Sequence, residues 1–475
     1  MLNATAVRMG DYIYRSFEVP KGVNRVAASM QKSGDASVGI GLFDHRGASY
    51  GSPGFRGVYG AEASSFFVAA DDASWAFRPG RIEPGVWTIV VPVFQVTTPT
   101  DLAITVTLDF GPQAAVPPLG AEPGVVREAP GWYRGDLHCH TTESSDARSS
   151  GSALSPADYP AAMLRAGLDF VAFTDHNVTT ANHDLAAHAG DSGVLLIGGQ
   201  EMTNWFHGHA TVTGLTPGAW LDWRQRPAAA PLREHERRIG AFFDAARRAG
   251  AYVSAAHPLS GHLSWQFLAE GVTDPSLLPD GLEVWNGARS LDDEAAIAAW
   301  DTLLTAGRRV FANGGSDVHG TANPEASALG APTTVVYAEN LSRQAVVAAL
   351  KAGRSFITSA PDGPELYLEA TGPGDQRAIV GGEVSGRAAE SVDFSVRVRK
   401  GAGKTLVVRR GAVVAKTAHI TSDDQTVKLR QPIGIGGYLR TELRSAPNVD
   451  TGDPVASHGG VEALTNPVFL VRKGI

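Results

Sequence analysis

The residues of this sequence that can do chemistry are histidines and carboxylates, and their spacing is that of a metal centre. In GDLHCH, His138 and His140 stand two apart. On a strand both project to one face, as two ligands of one ion must. Cys139 between them then points the other way and reads as a buried, inert thiol rather than a ligand. The other candidates follow strand-like runs: FVAFTDH places Asp175 and His176, VLLIGGQE places Glu201, and AYVSAAHP places His257. VFANGGSDVH delivers Asp317 and His319, again two apart. A lone histidine is ordinarily a surface or hydrogen-bonded core residue, but scattered core histidines have no reason to recur at strand ends. In a β/α barrel those ends form one face, where dispersed residues converge. Nitrogen and oxygen donors without thiolate suit Zn²⁺, Mn²⁺ or Fe²⁺.

The elements that must position these residues fall into three textures. Up to about residue 110, apolar and polar positions alternate over short stretches, as in TDLAITVTLDF, where Leu102, Ile104, Val106, Leu108 and Phe110 share one face. WTIVVPVF at 87–94 is another apolar run, closely preceded by Pro84-Gly85. Short strands divided by Gly/Pro turns predict an antiparallel β-sandwich. The Pro/Gly-rich stretch 111–131 reads as a linker. From Gly131 to about Ala360, strands alternate with helices. One helix is expected from an N-cap at Ser155, with Pro156 in its first turn, to Gly167; others are expected in REHERRIGAFFDAARRAG (233–250) and DDEAAIAAWDTLLTAG (292–307). Such alternation predicts a parallel sheet or barrel. After about Pro361 the alternation of period two returns in VDFSVRVRK, in a hairpin around Arg410-Gly411 and in YLRTELRS, which predicts a second β-sandwich.

Length and composition set the outer limits. With 475 residues the chain is too long for one core and suggests about three domains. Hydrophobic residues make up 43% and charged residues 19%, which excludes a disordered chain. With 41 basic and 49 acidic side chains the net charge is −8, without the basic surface that a non-specific nucleic-acid or anionic-membrane binder needs. One cysteine excludes an internal disulfide framework. The start lacks a signal-peptide pattern, and no apolar run reaches the roughly 18 residues of a membrane span. The expectation is a cytoplasmic protein.

The ordered motifs DLHCHT (136–141), TDH (174–176), the Glu201 segment, AHP (256–258) and GSDVH (315–319) resemble those of the PHP (polymerase and histidinol phosphatase) family. The resemblance covers nearly half the chain. It implies an α/β fold, a distorted (β/α)7 barrel with a trinuclear metal site, here spanning 129–360. The flanking β-sandwich domains, 1–128 with its linker and 361–475 ending in TNPVFL, look like the carbaryl-hydrolase (CehA/McbA-type) branch. Carried over by motif, His138, His140, Glu201 and Asp317 hold the first metal. Glu201 bridges to a second, completed by His257 and a further histidine, His209 in preference to His207, with which it shares parity. The third takes Asp146, His176 and His319, with Glu143 competing for the place of Asp146. Asp136 and Asp175 are expected to orient ligating histidines.

Two or three divalent ions (Zn, Mn or Fe) then imply hydrolysis with metal-bound hydroxide as nucleophile. A small, anionic ester is the expected substrate, with phosphate esters first because clustered cations suit charge developing in phosphoryl transfer. Arg134, Arg354 and Arg289 are candidates to supplement the cations, and His262 to protonate a leaving group. Asn286 in EVWNG is a further residue at a strand end. The alternative is a carbamate or carboxylic ester, which an apolar pocket near Trp205, Phe206, Trp265 and Trp285 would favour. A non-catalytic binding protein is the third reading, against which the nearly complete ligand set argues. No membrane or nucleic-acid partner is expected, and oligomerisation is left open.

Overall fold

Strands form wherever the sequence alternates, but burial follows the alternation only in part. Phe110, at the end of TDLAITVTLDF, is exposed, and Tyr438–Leu443 is buried on both faces because it lies inside a sheet covered on each side. The computed structural model describes residues 8–204, 207–226, 229–268, 274–446 and 459–473. Leu102–Phe110 pairs antiparallel with Val23–Lys32, which pairs with Ser65–Ala69. A second sheet joins Tyr12–Val19, Gly85–Val96, Ile40–Phe43 and Phe55–Tyr59, with Ala36–Val38 on the edge. Val26 and Val68 from the first sheet and Leu42, Trp87 and Val90 from the second are buried in one apolar core. Each such aliphatic side chain contributes roughly 1.5–3 kcal/mol on burial.

The central strands run in the order Gly131–Cys139, Phe170–Phe173, Leu195–Asn204, Gly208–Thr213, Tyr252–Ala256, Gly281–Asn286 and Phe311–Gly315. Adjacent members are parallel except at Gly208–Thr213, which is antiparallel to both neighbours. The row closes on itself just past its last strand. Asp317 N–H donates to the His138 carbonyl at 2.8 Å, His140 N–H donates to Val318 at 3.0 Å, and Cys139 bridges Val318 in parallel. Closure brings the ends of first and last strands together, and the reversed strand presents its beginning where the others present their ends. His209 accordingly lies opposite Ala256, next to His257.

The chain is a mixed α/β protein, richer in strand than in helix. The helices Leu232–Arg248 and Leu291–Thr305 occupy their expected places, the second opened by a Ser290/Asp293 capping box. The helix expected from Ser155 begins later, at Tyr159, and stops at Gly167 with φ +79°. Ser155 instead closes a turn, its hydroxyl and amide both donating to Asp158 Oδ2. Among the described residues no helix is long and apolar enough to cross a membrane.

Beyond Gly131–Cys139 the same sheet continues through Thr333–Ala338, Ser355–Thr358, Val461–Thr465, Gly437–Arg444, Thr405–Arg410 and Val413–His419. A separate four-stranded sheet carries Glu365–Thr371 and Ser391–Arg399, with Val392, Phe394, Val396 and Val398 buried as their period-two spacing requires. A buried charge network locks this region to the central one. Arg440, fully buried, forks onto Asp301 of the helix Leu291–Thr305 at 2.8 and 2.5 Å and lies 2.6 Å from Glu442. Burial alone would raise the Glu442 carboxyl, but Arg440, Arg444 and Arg409 bring it from an ordinary 4.5 down to about 2. A depressed carboxylate stabilises the fold above its unfolded pKa and loses that contribution as pH falls through its folded one. Unfolding free energy should therefore decline from about pH 4.5 towards about 2 by roughly 3 kcal/mol from this group. Urea titrations across that range should give a shallower pH slope for Glu442→Gln; equal slopes would assign the acid sensitivity elsewhere.

Candidate metal centre

The parity of H-x-H is realised at the end of Gly131–Cys139. The Nε2 atoms of His138 and His140 lie 3.2 and 3.0 Å from the same oxygen, Asp317 Oδ1. Cys139 faces away, fully buried beside Met163, Val171 and Phe173. At the middle stands Glu201, also fully buried. Its Oε1 faces His209 Nδ1 at 2.9 Å and His138 and His257 Nε2 at 3.5 Å. Its Oε2 faces His176 Nδ1 at 2.6 Å and His140 Nε2 at 3.6 Å. Asp146 Oδ2 lies 3.0 Å from His176 Nε2 and 3.1 Å from His319 Nε2.

Three overlapping sets of donor atoms can each hold an ion: His138, His140 and Asp317; His138, Glu201 and His257; and His140, His176 and His319, the atoms of each set lying within 4.8 Å of one another. Among the described residues, His138 Nε2, His209 Nε2 and His257 Nδ1 are buried without a hydrogen bond. An unsatisfied buried imidazole nitrogen costs free energy unless another partner takes it. A divalent cation is such a partner, and the nitrogen-and-oxygen donor set fits one.

The donors differ in charge. Burial opposes ionisation of every ring, yet neighbouring carboxylates outweigh it and raise His138, His176, His257 and His319, a charge that a bound cation would displace. Burial would raise the Glu201 carboxyl, yet His176, His209 and His138 hold it well below the usual carboxylate range. His140 is lowered to about 3 by burial and by His319 and His176, so its ring stays neutral, as a ligand must be. Two of these residues have left-handed backbone, His257 at φ +27° and Asp317 at φ +53°. Such conformations cost of order 1–3 kcal/mol each and persist where surrounding structure enforces them.

Supporting contacts orient the rings. Glu283 Oε1 lies 3.1 Å from His138 Nδ1, which turns Nε2 towards the centre; Glu283 Oε2 accepts from His257 N–H at 2.7 Å and Asn286 Nδ2 at 3.0 Å. Sequence reasoning missed Glu283, although a carboxylate inside the apolar strand GLEVWN signals a buried charge that needs partners. Glu283→Gln should lower metal affinity about 10–100-fold while excess metal restores occupancy. Competition with a chelating dye checks this, and an unchanged affinity would make Glu283 merely structural. Asp175 acts as expected, though indirectly: it accepts from Ser144 Oγ at 3.0 Å, which lies 3.0 Å from His140 Nδ1. Asp136 does not. It accepts from the backbone amides of His138, Ser316 and Gly330, so it pins strand ends rather than a ring.

The open alternatives separate geometrically. His207 precedes the reversed strand and pairs with His235 at 2.7 Å and Gln266 at 3.0 Å, whereas His209 reaches Glu201. Glu143 accepts from Ala76 N–H and Thr180 Oγ1, both at 2.7 Å, and leaves the histidines to Asp146. The supplementary arginines are not brought to the cluster. Arg134 sits four residues before His138, about 13 Å along the strand, with its guanidinium on Glu365 at 2.6 Å. Arg354 is lower still. Its carbonyl accepts from Tyr337, which pairs with Trp132 at the opposite end of that strand, and its side chain faces Glu339. Arg289 covers the face of Trp285 and pairs with Glu294. His262 is exposed on the turn Gly261–Leu263, off the cavity wall that Leu263 joins. Trp265 packs among Phe243 and Phe267, so neither it nor Trp285 lines the cavity over the cluster. Trp205 and Phe206 lie outside the described residues.

That cavity, of about 310 Å³, lies over Asp146, His176, His209, His257, Asp317 and His319. Its other wall comes from the N-terminal sheets, chiefly Tyr59, Glu62 and Phe94, with Trp223 beside them. Gly60 N–H donates to Ser145 Oγ at 2.8 Å and fastens this wall beside Asp146.

No protein-family model and no curated protein matches the chain. Among solved structures it is similar to a protein from Bifidobacterium adolescentis described as a metal-dependent phosphoesterase, at 19% identity and TM-score 0.27, covering 41% of this chain and 90% of that one. It is also similar to an amidohydrolase from Chromobacterium violaceum with bound sulfate and no metal, at 18% identity and TM-score 0.29, with the same coverage.

Proposed function

We propose that the chain is a metal-dependent hydrolase acting on phosphate esters, built as a distorted (β/α)7 PHP-type barrel at 129–360 between β-sandwich domains at 1–128 and 361–475. The observation that carries this reading is the Glu201 carboxylate enclosed by five imidazoles at convergent strand ends, with Asp317 and Asp146 beside it. His138, His140, Asp146, His176, Glu201, His209, His257, Asp317 and His319 form the ligand set, for two or three ions of Zn, Mn or Fe. When bound, such cations lower the pKa of a coordinated water and stabilise charge on the oxygens of a reacting ester.

The chain's own residues do the rest. Glu201 and Asp317 supply the negative charge that makes clustered cations tolerable. Glu283 and Ser144 hold His138 and His140 in the ring orientation that aims Nε2 inward. The wall of Tyr59, Phe94 and Trp223 keeps bulk water from one side of the cavity and receives the part of the substrate that does not react. The apolar character of that wall also favours the second reading, a carbamate or carboxylic ester whose polarised carbonyl takes the place of the phosphoryl group.

The test is hydrolysis of an aryl phosphate monoester by protein loaded with Mn²⁺ or Zn²⁺, with His140→Ala as control. Turnover that disappears in the variant is the expected result. Silence from wild-type protein of measured metal content would remove phosphate monoesters and bring phosphodiesters and aryl carbamates forward.

A further inference from the structure

Among the described residues, the cavity over the metal cluster has one charged group that the ligand set does not use. Its remaining charged lining residues, Asp146, His176, His209, His257, Asp317 and His319, belong to that set; Glu62 does not. It stands in the turn after Phe55–Tyr59, at the tip of the N-terminal wall. Gly60 makes room for it: a Cβ at that position would lie 2.4 Å from Glu62 Oε2, so the absence of a side chain lets the carboxylate fold back against the backbone. The same glycine is fastened to Ser145, next to Asp146, and the Glu62 carboxylate interacts electrostatically with both Asp146 and His176. Around it the wall is apolar: Val58, Tyr59, Pro92, Phe94 and Leu263. Trp223 adds a buried indole N–H with no hydrogen-bond acceptor among the described residues.

We propose that Glu62 sets the charge selectivity of this cavity. The substrate's reacting end is its anionic end, and its other end is apolar and bears no negative charge where it meets Tyr59, Phe94 and Glu62. The proposal deepens the phosphoester reading and rests on it for what occupies the metal end. Its physical basis is that two like charges a few ångströms apart repel, here through a medium part protein and part water because Glu62 is an exposed residue of the cavity wall. A second carboxylate at the far end of a ligand therefore loses affinity, whereas an uncharged ring loses none and gains contact with the aromatic wall.

Non-hydrolysable probes separate this proposal from the reaction itself. 4-Carbamoylphenylphosphonate and 4-carboxyphenylphosphonate are nearly the same in shape and differ in charge at the far end. Titrated calorimetrically into Zn²⁺-loaded full-length protein at pH 8, the uncharged probe should bind at least tenfold more tightly. Glu62→Gln should bring the two within about threefold, and Glu62→Lys should invert the order. Gly60→Ala, which pushes the carboxylate away, should relax the preference in part. Equal affinities in wild-type protein, a preference unchanged in Glu62→Gln, or no binding of either probe at full metal content would each overturn the proposal. If the charge preference holds but phenyl phosphate is not hydrolysed by the same preparation, the phosphate-monoester reading falls and the selectivity of Glu62 stands.

Discussion

Glu201→Gln is expected to cost the protein at least one bound metal ion per chain and to lower turnover by roughly 10³-fold or more. The substitution keeps the shape of the side chain and changes only its charge and one donor atom. In the native structure both carboxylate oxygens are in use, Oε1 towards His138, His209 and His257 and Oε2 towards His140 and His176. A neutral amide offers one oxygen in place of two, and its NH₂ group faces imidazole nitrogens that need a ligand or an acceptor. No water replaces the lost charge cheaply, because Glu201 is fully buried. Metal content by elemental analysis after dialysis, measured beside kcat, checks the prediction. Full metal content with a rate within tenfold of wild type would show that Glu201 does not bridge. The contrast with Glu283→Gln is informative: that side chain touches His138 from behind, so added metal should restore what it loses, whereas it should not restore Glu201→Gln.

Arg440→Ala should destabilise the fold by about 3 kcal/mol, the low end of what breaking a buried ion pair costs. The guanidinium is fully buried, forks onto Asp301, lies beside Glu442 and packs 5.0 Å from the Trp300 ring centre. Truncation leaves a cavity and takes the guanidinium from Asp301, which keeps the Tyr438 hydroxyl at 3.0 Å, between helix Leu291–Thr305 and strand Gly437–Arg444. Glu442 keeps Arg409 and Arg444, which is why the low end applies. Arg440→Lys should recover only part of the loss, since an ammonium cannot make both contacts to Asp301 in one plane. Denaturant unfolding measures these differences. A loss below about 1 kcal/mol would put the network on a par with solvent-exposed pairs. Metal binding should be retained in either variant, because no atom of the network touches the ligand set.

Much of the centre was legible along the chain. H-x-H gave parity because neighbours two apart on a strand share a face, and His138 and His140 do meet one oxygen of Asp317. The runs before Asp175, His257 and Asp317 are strands that end there, whereas Glu201 lies inside Leu195–Asn204, which continues past it because Gly208–Thr213 pairs back along it. The same reasoning could not tell one end of a strand from the other in space. Arg134 and Arg354 looked available for substrate, yet lie at the far end with Glu365 and Glu339 as partners. Nor could it separate His207 from His209 by parity; the start of the reversed strand does so, and His207 goes to His235 instead.

The amino-acid sequence by itself determined the donor types, their spacing on each strand and the alternation of buried and exposed positions, because these depend on residues a few places apart. Tertiary structure alone decided which acid faces the histidines, since Glu143 is claimed by Ala76 and Thr180 and Asp146 is left free to turn inward. It also decided that Asp136 serves backbone amides rather than a ring, that Glu283 stands behind His138, and that Tyr59, Glu62 and Phe94 wall the cavity from a sheet far earlier in the chain. The physical reason is common to all four. Each depends on contacts between segments far apart in the chain. They are made across the closure of the central sheet for Asp136 and Glu283, and against the separate N-terminal sheets for Glu143 and the cavity wall. Such contacts leave no period in the sequence.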